Sequence, residues 1–110
     1  MTAHRRVVAL VPDLMDRSRL GRLGAQVEVV HVRLPEDLAA TAEATDLVLV
    51  DVGRPGALDA VRAGIAGRVV GFASHVDTDL IAEARAAGCD DVLARSAFFA
   101  RLHALLAPPP

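Results

Sequence analysis

The stretch DLVLVDVGRPG, residues 46–56, decides how this chain folds. Its Leu47-Val48-Leu49-Val50 run is too short for a helix and too continuously apolar for a strand with one wet face. It therefore reads as a strand buried on both sides. Asp51 closes the run, and Gly53, Pro55 and Gly56 turn the chain. An aspartate at the end of such a strand is placed to be a reacting carboxylate, a metal ligand or a structural acid.

Working outward, four more strand-like runs appear: RVVALV (6–11), QVEVVHV (26–32), RVVGFAS (68–74) and DDVLAR (90–95). Glu28 and His31 interrupt the valines of the second, which puts that strand nearer a sheet edge. Helical patterns fill the gaps at 13–23, 35–45, 57–66, 77–87 and 96–106. Gly24, Gly67 and Gly88 stop three of them, Pro35-Glu36-Asp37 suits a first turn, and Ser96 is a candidate N-cap for the last. Strands alternating with helices specify an α/β domain with a parallel sheet and right-handed crossovers. The expected architecture is one doubly wound, five-stranded, flavodoxin-like domain of strand order 2-1-3-4-5 over residues 1–107, with a proline tail at 108–110.

Composition removes several classes of function. The net charge is -2 and the twelve basic residues are all arginines, scattered along the chain, so no basic field draws nucleic acid. With no lysine, Schiff-base and P-loop chemistry are excluded. Three Phe and no Trp or Tyr leave an aliphatic core without a base-stacking platform. The lone Cys89 has no disulfide partner within the chain and fits a cytoplasmic location. No run is long enough to span a membrane.

In a doubly wound sheet, ligands bind beyond the carboxyl ends of the strands, where strand order reverses. Here that places Asp13 after the first strand, Asp51 after the third, Ser74 and His75 after the fourth, and Arg95 after the fifth. His75 reads as an acid-base group or a solvated loop residue. His4, His31 and His103 lack ligand-like spacing, Cys89 reads as a small buried filler, and GRLG at 21–24 follows a helix instead of opening a dinucleotide site.

Three segments resemble the receiver (CheY-like) domains of bacterial two-component response regulators. DLVLVDVGRP carries the strand, terminal aspartate and following proline; VVGFASHVD carries the small hydroxyl residue; EARAAGCDDVLARS carries the helix, turn and fifth strand. The resemblance implies Asp51 as phosphoacceptor, Ser74 and Arg95 as donors to the phosphoryl oxygens, and Asp13 with Asp51 as ligands for Mg²⁺. The departures point elsewhere. Pro12 stands where receivers carry a second acid, Asp16 lies almost a turn away, and Arg95-Ser96 replaces the usual lysine and proline. The expectation is therefore a non-enzymatic pseudo-receiver that signals by protein contact. In it, Asp51 is paired with Arg95 as a structural acid. Two alternatives stand beside it, a competent response regulator phosphorylated on Asp51 and a small-molecule-binding module.

In the last helix, SAFFARLHALL, Phe98, Leu102 and Leu105 make a core stripe, with Phe99 and Leu106 beside it. That second stripe is either buried or marks a homodimer or partner contact on the face of the last two helices and fifth strand.

Overall fold

The computed structural model describes residues 5–107. The proline tail expected at 108–110, and His4, lie outside them. Five strands form one parallel sheet: β1 (Arg6–Leu10), β2 (Glu28–His31), β3 (Leu47–Asp51), β4 (Arg68–Ala73) and β5 (Asp91–Ala94). Their order is β2-β1-β3-β4-β5, as the sequence pattern predicts, with β2 at an edge.

The helices are α1 (Leu14–Leu20), α2 (Glu36–Thr41), α3 (Ala57–Ala63), α4 (Thr78–Ala87), α5 (Arg95–Ala100) and α6 (Leu102–Leu105), with a 3₁₀ turn at Gly21–Leu23. The two-residue period of each strand sends alternate side chains to opposite faces. One face packs Val8, Leu10, Val48 and Val50 against Leu38 of α2, Ala57 and Val61 of α3 and Ala84 of α4. The other packs Val7, Ala9, Leu49 and Phe72 against Leu20 of α1, Phe98 of α5 and Leu102 and Leu105 of α6. Covering both faces is what requires the unbroken apolar runs.

The carboxyl-terminal helix departs from expectation in two ways. It starts at Arg95, one residue before the Ser96 expected to cap it, and the residue at its N-cap, Ala94, makes no side-chain capping bond. It also breaks at Arg101, where φ -105° and ψ 12° leave the helical region. The break separates α5 from α6, yet Phe98, Leu102 and Leu105 all reach the core. Phe99 and Leu106 also pack partly against it. The Phe99 ring meets Phe72 and Phe98 edge-on at 5.6 and 4.9 Å, and Arg19 lies 5.2 Å from its centroid.

Candidate functional site at the carboxyl end of the sheet

Asp13 follows β1 and is the N-cap of α1. Its Oδ1 accepts from the Met15 and Asp16 N–H groups at 2.9 and 3.0 Å. Those donors would otherwise be unpaired at a helix start. The bond from the Asp16 N–H, more than any other influence, holds the Asp13 carboxyl below its ordinary range, with Arg95 and Arg54 acting the same way from further off.

Asp51 ends β3, half-buried, and its Oδ2 accepts from Nε of Arg54 at 3.1 Å. The pairing is local: the Arg54 N–H also donates to the Asp51 carbonyl at 3.2 Å, a turn that brings the guanidinium back over the carboxylate. Ser74 and His75 are exposed beyond β4. The Ser74 carbonyl accepts from the Asp77 N–H at 2.9 Å.

Arg95 does not reach Asp51, so the ion pair expected between them is replaced by two others. Arg95 begins α5, which packs on the same face as α1, and its Nη2 donates to Oδ1 of Asp16. Asp16 is fully buried, and its Oδ2 has no hydrogen-bond partner. Burial is the main cause that raises the Asp16 carboxyl above its ordinary range. Arg95 opposes that rise, and the like charges of Asp13 and Asp51 add to it.

Asp16, almost a turn along the helix from Asp13, is nonetheless the acid that the fold brings to Arg95. The signal was present: Asp16 shares a helical stripe with Leu20 and Leu23, both buried. An acid on an apolar stripe is an acid that folds inward with a partner.

Mg²⁺ wants several carboxylate oxygens free to converge on it. Asp13 is engaged by two N–H groups and Asp51 by Arg54, and no three His, Cys, Asp or Glu side chains among the described residues gather as a metal cage. The cation site that the resemblance implies at Asp13 and Asp51 is therefore not assembled among the described residues. Surface cavities of about 440, 580 and 330 Å³ lie between α2 and α3, along β2 and α2, and beside the turn after β3, and neither Asp13 nor Asp51 lines any of them.

No family model and no curated protein matches this sequence. Solved structures do. A response regulator from Hahella chejuensis superposes with a TM-score of 0.74 at 21% identity, over 93% of this chain and 92% of that one. A response regulator from Thermotoga maritima gives 0.71 at 18% identity, over 96% and 99%. Full-length FixJ from B. japonicum gives 0.73 at 22%, with 96% of this chain matching 57% of that one. The fold is that of response-regulator receiver domains. Asp51 ends the third strand, and Ser74 and Arg95 directly follow the fourth and fifth.

Proposed function

We propose that this chain is a receiver-like regulatory domain that works in the cytoplasm through protein contacts and does not use Asp51 as a phosphoacceptor. The observation that carries this reading is that all three acids of the crevice are engaged by groups of the chain itself: Asp13 by the start of α1, Asp16 by Arg95 and Asp51 by Arg54. Phosphoryl transfer to a carboxylate needs that carboxylate free to attack and a cation to screen the incoming charge. Here Asp51 first has to leave Arg54, in a crevice whose other acids repel an anion.

The contact surface is the face of α4, β5 and α5–α6. There β5 is a sheet edge, and Phe99 and Leu106 keep part of their surface open. A second copy or a different protein would add to that edge.

Incubation with acetyl phosphate and Mg²⁺ tests the reading. The intact mass is expected to stay unchanged. A gain of one phosphoryl group that disappears in Asp51→Asn would establish a competent response regulator instead.

A further inference from the structure

Among the described residues the least satisfied group is the Asp16 side chain, which has no exposure to solvent and one oxygen without a partner. A carboxylate taken out of water is costly unless a countercharge accompanies it. In a crevice that also holds Asp13 and Asp51, two further negative charges act on it. What meets Asp16 is the guanidinium of Arg95, 79 residues away in sequence, delivered by the first residue of α5. This contact joins α1 to the β5–α5 junction, and α5 starts there without any side-chain cap.

We infer that Arg95 is a resident cation: from within the chain it permanently supplies the charge that a dissociable divalent ion would supply in this crevice, and it thereby holds the start of α5 against α1 in one state. The inference deepens the proposed function and rests on it for the role of the crevice. A free ion would come and go with its concentration and with phosphate. A guanidinium on β5–α5 stays covalently within reach of Asp16, so the state that it holds does not depend on the concentration of a dissolved ion.

Calorimetric melting of the full chain at constant ionic strength, with and without millimolar Mg²⁺, tests this. The wild-type midpoint is expected to stay within about 1 °C on adding Mg²⁺, because binding to the native state alone would raise it. Arg95→Gln strands the buried Asp16 charge and is expected to melt lower by about 5–15 °C. Mg²⁺ is expected to restore much of that loss by taking the vacated role. Asp16→Asn combined with Arg95→Gln removes acid and cation together, so it is expected to melt near the wild type and ignore Mg²⁺.

A wild-type midpoint that climbs with Mg²⁺ would overturn the inference, as would an Arg95→Gln deficit that persists in Mg²⁺. If Arg95→Gln does not fold on expression, refolding from urea with and without Mg²⁺ gives the same reading, and a double variant that also fails to fold overturns it. A mass gain from acetyl phosphate would remove the proposed function while leaving these melts unchanged, so the two failures are separable.

Discussion

Asp46 and Asp16 are the two buried charged residues among the described positions, and they lie at opposite ends of the sheet. Asp46 precedes β3 at the amino end. Its Oδ2 accepts from the Glu43 N–H at 2.8 Å and faces Nη1 of Arg6 at 3.3 Å. Its backbone is equally engaged, donating to the Glu43 carbonyl at 3.0 Å and accepting from the Arg68 N–H at 3.0 Å. Arg6 in turn reaches Glu28, Glu43 and the Thr41 carbonyl, tying β1 to β2 and to the chain leaving α2. Asp16, at the carboxyl end, has Arg95 on one oxygen and nothing on the other. Both pair an aspartate with an arginine, but only the amino-end pair is closed by backbone groups. The amino end is built to stay shut, and the unsatisfied atom sits where the fold places its ligands.

Asp46→Ala is the sharpest way to break this contrast. It leaves the Glu43 N–H without its acceptor and removes one countercharge from the partly buried Arg6, so a loss of about 3 kcal/mol is expected. A shift of the urea midpoint at constant slope measures it. A loss below about 1 kcal/mol would mean that the amino-end network is no more structural than an exposed ion pair.

Gly67→Ala presses on the same network from the backbone. Gly67 has φ +93°, and an added Cβ would lie 2.6 Å from the Asp46 carbonyl oxygen and 2.9 Å from that of Glu43. Both neighbours are backbone atoms and cannot swing aside. The expected cost is about 2 kcal/mol, from the steric clash and from an L-residue forced to positive φ. A variant as stable as the wild type would show that the segment from Glu43 to Gly67 yields more readily than its hydrogen bonds imply.

The fold was legible because strands buried on both faces must be apolar throughout, and runs such as Leu47 to Val50 have few other uses. The break at Arg101 was not legible, since nothing within SAFFARLHALL marks it: Phe98, Leu102 and Leu105 would share one core stripe in an unbroken helix too. Of the charged site, Asp51 and Arg54 stand three residues apart inside one turn, close enough to read as a pair from sequence. The Asp16 contact with Arg95 spans 79 residues and depends on α1 and α5 sharing a face, which only the assembled fold sets.

The smallest expected effect falls on Asp16→Asn, and its information lies in pH. Arg95 is about half exposed and can hydrate once the acid is gone, so stability at neutral pH is expected within about 1 kcal/mol of the wild type. Burial raises the folded-state pKa of Asp16 above its ordinary 3.8, so the folded protein holds this proton more tightly than the unfolded chain does. Ionised Asp16 therefore works against folding above that range, and the penalty is relieved as pH falls from the folded-state value through 3.8. Asp13 has the opposite sign: its lowered pKa favours the fold above 3.8, and this contribution is lost as pH drops below 3.8 through the depressed folded value. Removing Asp16 removes the term that offsets such losses. Asp16→Asn is thus expected to lose stability more steeply than the wild type on acidification, as read by urea midpoints from pH 7 down to about 3. Parallel curves would mean that Arg95 fully compensates the buried charge, which would make the two ends of the sheet electrostatically alike.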